Sequence, residues 1–224
     1  MSDADSFIDE VTEEVRRDRL FALMRRYGWI AVVVVIAVVG TAAYREYSKA
    51  QALAAAQALG DGMLTALEQD APADRAGALS AIDATTPGGE AVLNFLTAAA
   101  RAEAGDTAAA VADLEEIARN GALPEIYRQI AAFKALALQA DTLSADQRRL
   151  QFEALSQPGA PLRLLAQEQI ALIDVAEGDA EAALARLQQI LQDAETDATL
   201  RQRVSQAIVA LGGTPAPAPG TQQG

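Results

Sequence analysis

Neither histidine nor cysteine occurs among the 224 residues. Imidazole-based triads, thiolate nucleophiles, disulfides and ordinary zinc sites therefore have no residues to build on. What remains for chemistry is carboxylate. Adjacent pairs such as Glu115-Glu116 and Asp9-Glu10 have the residue types of an acid–base dyad, which needs two carboxyls whose surroundings push their pKa values apart. Both pairs fall in helical patterns, and on an exposed helix face such carboxylates serve as solvating charge. No G-x-x-x-x-G-K-[ST] phosphate loop occurs, and Gly60-Asp61-Gly62 lacks the third glycine and the preceding strand of a dinucleotide site. The expectation is a protein that is not an enzyme, with no catalytic residue, cofactor or metal.

Charge narrows the partners. The formal net charge is −13; residues 1–44 hold five Arg against seven acids, leaving 13 basic and 24 acidic side chains beyond them. An acidic surface of that size repels phosphate backbones, which excludes nucleic acid.

The elements that must position any interaction surface are organised around Tyr27–Tyr44, eighteen residues without a charge. As an α-helix they span roughly 27 Å, close to the hydrocarbon thickness of a bilayer. Arg25 and Arg26 precede the run and Arg45 follows it; Tyr27 and Trp29 at one end, with Tyr44 and Tyr47 at the other, sit where an interfacial aromatic belt belongs. A buried core helix would carry polar punctuation, and Val32–Val39 carries none. A cleaved signal peptide is the other reading, with the small residues Thr41–Ala43 as a loose cleavage site, although the apolar run exceeds the usual ~7–15 residues. Arg16, Arg17, Arg19, Arg25 and Arg26 crowd the N-terminal flank, against Arg45 and Lys49 after the run. The positive-inside rule then leaves the N-terminus in the cytoplasm and sends the C-terminal part across the membrane. Gly40-x-x-Ala43 offers a small-residue face for lateral pairing.

The remaining chain reads as helices. Ser6–Arg26 has an amphipathic period with acids first and arginines last, complementing a helix dipole. Lys49–Gln69 continues as an alanine-rich helix with an expected kink at Gly60-Asp61-Gly62, and a short helix over 73–83 ends at the turn cluster Thr86-Pro87-Gly88-Gly89. From Glu90 on, short helices alternate with tight turns at Gly105-Asp106, Asn120-Gly121, Gln157–Pro161 and Gly178-Asp179; Pro124 opens one helix, and Ser144-x-x-Gln147 reads as a capping box. A shift of 73 residues lays Gly105-Asp106 on Gly178-Asp179, and Val111, Leu114, Ile117 and Ala118 on Leu184, Leu187, Ile190 and Leu191. That length holds two helix pairs of about 34 residues, with the pair 144–156 and 161–177 expected between the copies, and such periods predict a helical solenoid. Leu200–Leu211 makes a last helix, and 212–224 is a Pro/Gly tail, disordered by composition.

With the Arg25-Arg26-Tyr27-Gly28 start and Tyr44-Arg45-Glu46-Tyr47 end of one early span, the alanine-rich helix after it and the Gly-Asp helix pairs, the chain resembles the YfgM-type, tetratricopeptide-repeat-like ancillary subunits of the SecYEG translocon over Arg25–Gly212. The Trp and Tyr of the usual repeat consensus are mostly absent. The resemblance implies an all-α protein of the bacterial inner membrane, with a single N-terminal transmembrane helix followed by a tetratricopeptide-repeat-like α-solenoid. Its segments are a cytoplasmic charged amphipathic stretch (1–26), the span (27–44), a periplasmic helical domain (45–211) and the tail (212–224). It further implies partnership with SecYEG and a PpiD-like periplasmic chaperone, besides the lipid bilayer. A scaffold for another cell-envelope assembly has the same architecture and stays open.

Overall fold

A computed structural model describes residues 3–216, apart from the side chains of residues 3–24 and of Ala31. The side-chain reading of the amphipathic segment, Asp9 and Glu10 included, therefore lies outside the described residues, as does the tail from 217 on. Nine α-helices and no strand occur in the described part: α1 (Asp3–Leu67), α2 (Pro72–Ser80), α3 (Pro87–Glu103), α4 (Thr107–Arg119), α5 (Glu125–Leu138), α6 (Ala145–Leu155), α7 (Arg163–Ala176), α8 (Ala180–Gln192) and α9 (Ala198–Ala210). The chain divides into two units, Met1–Ala58 and Leu59–Gly224.

Caps written into the sequence start these helices. Asp106, Asp179 and Asp197 each accept a hydrogen bond from the backbone N–H three residues on, at 3.2, 2.9 and 2.8 Å, satisfying a donor that the first turn leaves free. Ser144 and Gln147 form the expected capping box at α6. Three local readings are corrected. Thr86-Pro87-Gly88-Gly89 does not end a helix but begins α3: the Thr86 hydroxyl accepts from Gly89 N–H at 3.1 Å, and Pro87 brings its fixed φ to the first turn. The short helix before it is α2, which starts at Pro72 and stops at Ser80. Pro124 is the residue before α5 rather than its first. The alanine-rich helix expected over Lys49–Gln69 is the end of α1, which stays helical through Gly60 and Gly62 to Leu67. Each glycine costs about 1 kcal/mol in a helix interior; burial of Met63 and Ala66 against the rest of the second unit offsets that cost.

In the second unit the core lies in four clusters that follow one another along the chain. The end of α1 packs with α2 and α3 through Met63, Leu79 and Leu93. Next, α3, α4 and α5 meet through Ala98, Leu114, Ile117 and Ala131. Then Leu136 of α5 joins Phe152 of α6 and Ile170 and Ile173 of α7, with Phe133 edge-on to Phe152 at 5.5 Å between ring centroids. Ala171, Leu187, Ile190, Val204 and Ile208 close the series over α7, α8 and α9. The substantial packing is between sequence neighbours, with α3 also touching α5.

Candidate anchor and interaction surfaces

In the first unit, α1 presents its apolar stretch outward. An eighteen-residue window within Arg25–Leu67 has a mean hydropathy of 2.0 and is 0% buried, so one described helix is long and apolar enough to cross a membrane. Tyr27, Trp29 and Tyr44 are all exposed, Trp29 by 65%. The Arg26 guanidinium lies 5.8 Å from the centroid of the Tyr27 ring, within cation–π range, so one of the flanking charges sits on one of the flanking aromatics. Arg25 and Arg45 occupy the same helix on either side of the run. A helix that exposes Val32–Val39 in water loses the burial that would stabilise it, by about 25 cal/mol for each Å² of apolar surface. Within the first unit this stretch has no packing partner of its own.

The two Gly-Asp turns are built alike. Gly105 and Gly178 have φ of 86° and 84°, the left-handed region that glycine enters without steric cost. Asp106 N–H donates to the Arg101 carbonyl and Asp179 N–H to the Asp174 carbonyl, both at 2.9 Å, before each Asp side chain caps the next helix. The shared turn is one point of a longer correspondence. Helices α2, α4 and α5 begin at Pro72, Thr107 and Glu125; α6, α8 and α9 begin at Ala145, Ala180 and Ala198, 73 residues on in each case. Buried positions match at the same shift: Met63 with Leu136, Leu79 with Phe152, Thr97 with Ile170, Leu114 with Leu187, Ile117 with Ile190, Ala131 with Val204. Each copy is thus an incoming helix end plus four helices. The pair expected between the copies is accordingly corrected, since α7 belongs to the second copy.

Charge sharpens the match. Arg101 pairs with Asp113 at 2.6 Å between α3 and α4. The positions 73 residues on are Asp174 and Arg186, paired at 3.2 Å between α7 and α8 with the signs exchanged. Asp174, only 3% exposed, also accepts from Arg149 of α6, which reaches Glu177 as well. Asp113 lacks such a second cation. Burial raises its pKa above the ordinary carboxylate value, and Arg101 opposes that shift without cancelling it. Elsewhere Arg163 pairs with Asp193 at 2.9 Å and Glu195 at 2.7 Å, and its hydrogen bond holds the Asp193 carboxyl below the usual range.

Two hollows open among the helices of the first copy. A polar one of about 270 Å³ opens between the α2–α3 connection, α3 and α4, bordered by Asp83, Glu90, Asn94 and Arg101. An apolar one of about 210 Å³ lies between α3 and α5, bordered by Phe95, Ala99, Ala102 and Lys134. At the matching places of the second copy stand Glu168, Leu172, Val175 and Ala207. There Glu168 forms a two-pronged pair with Arg203 at 3.0 and 2.6 Å, tying α7 to α9. Of the acids considered for catalysis, Glu115 pairs with Arg119 one helical turn on, and among the described residues no group of three or more acids is placed to hold a metal ion.

Sequence reasoning found the Gly-Asp turns but missed the exchanged ion pair, the apolar hollow and the full reach of the repeat. Continuing the 73-residue shift beyond Gly105–Ala118 would have found the first and the last. Compared with protein-family models, curated proteins and solved structures, the chain matches none.

Proposed function

We propose that this chain is a non-enzymatic, membrane-anchored protein-interaction module whose helical repeats form a short tetratricopeptide-repeat-like solenoid. The observation that carries the reading is the repetition itself: clusters that pack neighbour to neighbour, in two copies 73 residues apart, are the arrangement of quasi-one-dimensional repeat domains, which work by presenting surface. The outward apolar helix anchors the module in the bacterial inner membrane, and the arginine bias before it keeps the N-terminus cytoplasmic and the repeats periplasmic. The resemblance of the anchor and repeat arrangement to YfgM-type proteins supports a place beside SecYEG, linking emerging chains to a PpiD-like chaperone. The apolar hollow between α3 and α5 is the natural place for such a partner's side chain.

The test is copurification of the tagged full-length protein in mild detergent, with partners identified by mass spectrometry. Enrichment of SecY together with a periplasmic chaperone, lost when residues 27–44 are replaced by an unrelated span, supports the assignment. Enrichment of a different envelope complex with Sec at background refutes the translocon role and makes the chain a scaffold of that complex.

A further inference from the structure

The chain does not leave the fold where α9 ends. Gly212 takes a φ of 78°, and Gly213 N–H returns to the Ile208 carbonyl at 2.9 Å, turning the backbone toward α8. A Cβ on Gly213 would lie 2.8 Å from Leu184 Cδ2 and 3.0 Å from Ile208 Cγ2, so glycine is what lets the backbone pass this close. Beyond it the single side chain Gln188 of α8 holds two backbone groups: its amide nitrogen donates to the Thr214 carbonyl at 2.7 Å, and its amide oxygen accepts from Ala216 N–H at 3.0 Å. Residues 212–216, assigned by composition to the tail, are therefore fixed on the domain.

We propose that this face of α8 is a docking site for an extended, proline-containing peptide segment, and that Thr214–Ala216 of the chain itself are its occupant in cis. The inference is independent of which complex the protein joins. Gln188 reads a carbonyl and the N–H two residues later, groups that every extended peptide offers at that spacing. The residue between them is asked for no donor, so proline fits there without loss and holds its own φ near the extended region. Recognition of this kind is tolerant of sequence and admits an X-Pro-X backbone with small flanking side chains, as Thr214-Pro215-Ala216 provides.

The first copy shows that the device is not a by-product of the repeat. Its counterpart of Gln188 is Glu115, a carboxylate that accepts but does not donate and is engaged by Arg119. Its counterpart of 212–216 is Gln139–Leu143, which leads into α6 and has no freedom to leave. Of the two copies, the second alone has at this position an amide that both donates and accepts. Tethering gives the cis segment a high effective concentration, so a segment from another chain competes poorly until the tail is removed.

The experiment uses the full-length protein in detergent, a form truncated after Gly213, and the truncated form carrying Gln188→Ala. A fluorescein-labelled peptide with the sequence Thr214–Gly224 is titrated into each and followed by anisotropy. The expected result is saturable binding to the truncated form, at least tenfold weaker to the full-length protein, and at least fivefold weaker once Gln188 is replaced. Absence of binding to a truncated form that melts like the full-length protein overturns the proposal, as does equal binding to all three. A second measurement needs no truncation. In the full-length chain, Gln188→Ala is expected to speed amide hydrogen exchange at Ala216 at least tenfold while the α8 core amides keep their rates; unchanged exchange at Ala216 refutes the clamp.

Discussion

The exchanged ion pair makes the repeat testable as energy rather than pattern. If Arg101–Asp113 and Asp174–Arg186 occupy equivalent environments, the first site should accept the second site's signs. Reversing one partner alone, Arg101→Asp or Asp113→Arg, removes a charge-assisted hydrogen bond at 2.6 Å and sets two like charges side by side. The side chains are 29% and 19% exposed, so solvent screens the pair only in part. With an effective dielectric constant near 20, two unit charges about 4 Å apart interact by about 4 kcal/mol, and each single reversal is expected to cost about 2–4 kcal/mol. Melting of a unit this size moves by roughly 2–4 °C per kcal/mol, which predicts a fall of roughly 4–16 °C.

The double exchange Arg101→Asp with Asp113→Arg should recover most of that loss. An arginine at 113 gains from Glu116 and Asp106, the two acids whose fields raise the Asp113 pKa in the native chain. An aspartate at 101 has no counterpart of Arg149, which supports Asp174 in the second copy, because position 76 holds alanine. Recovery should therefore stop about 1 kcal/mol short of the native protein, within the range expected for one partly exposed ionic hydrogen bond. The assay is thermal and urea unfolding of all four proteins, arranged as a double-mutant cycle. If the two single losses simply add in the double variant, the positions are alike in sequence spacing alone and the repeat argument fails at its most exacting point.

Other outcomes follow from the same geometry. Gly178→Ala meets nothing within 4 Å, so its cost is that of the left-handed backbone alone, about 1–2 kcal/mol; Gly178→Asn should recover part of it, and equal stability of all three would show that the turn does not need glycine. Phe152→Ala empties the cluster that joins the two copies, should cost about 3–5 kcal/mol, and should split unfolding into two transitions in a denaturant titration; a single sharp transition would show that the copies do not unfold separately. Val35→Arg puts a charge near the middle of the apolar run at about 2.5–3.5 kcal/mol and should shift the protein from the alkali-resistant membrane fraction toward the soluble one; unchanged fractionation would refute a span. Asp193 has its pKa lowered by Arg163, so its contribution is complete above the ordinary carboxylate pKa of 3.8 and is lost as pH falls through the lowered folded value. The stability gap between the native protein and Arg163→Gln should be constant from pH 7 to about 5 and close below about 4; a gap that persists to pH 2 excludes this pair as its source.

Helices were legible because their cause is local. Caps such as Asp106, Ser144 and Asp179 satisfy donors within three residues, and periodic leucines and isoleucines fall on one face whatever the tertiary surroundings. Tertiary burial decided what local preference could not. Gly60 and Gly62 are poor helix formers, yet Met63 and Ala66 are buried and α1 continues to Leu67. Thr86-Pro87-Gly88-Gly89 has turn composition, but a hydroxyl followed by proline is also a helix start, and that start is what forms. The repeat was visible only where identity survived. Thr97 with Ile170, Leu123 with Thr196 and Arg101 with Asp174 hold equivalent places with different residues, so a comparison by identity passes over them. The apolar hollow was illegible for another reason: Phe95, Ala99 and Ala102 of α3 border it with Lys134 of α5 only once the two helices are packed together.

The equivalence of the two copies also sets the outer face of α9 apart from that of α5. The face of α5 that meets the next copy carries Ala132, Phe133 and Leu136, and Phe152 covers it. The matching residues of α9 are Ser205, Gln206 and Val209. A third copy laid on α9 would bury one serine and one glutamine for a single valine, giving up about 1–3 kcal/mol for each polar group left without a partner. Among the described residues no helix covers this face, and Val209 stands 61% exposed upon it. A repeat array stays soluble when a terminal helix turns a polar face outward, and on α9 Ser205 and Gln206 stand where α5 has Ala132 and Phe133. The chain that follows is then free to turn back at Gly212 and cross α8, occupying the place where the first copy makes its connection to α6.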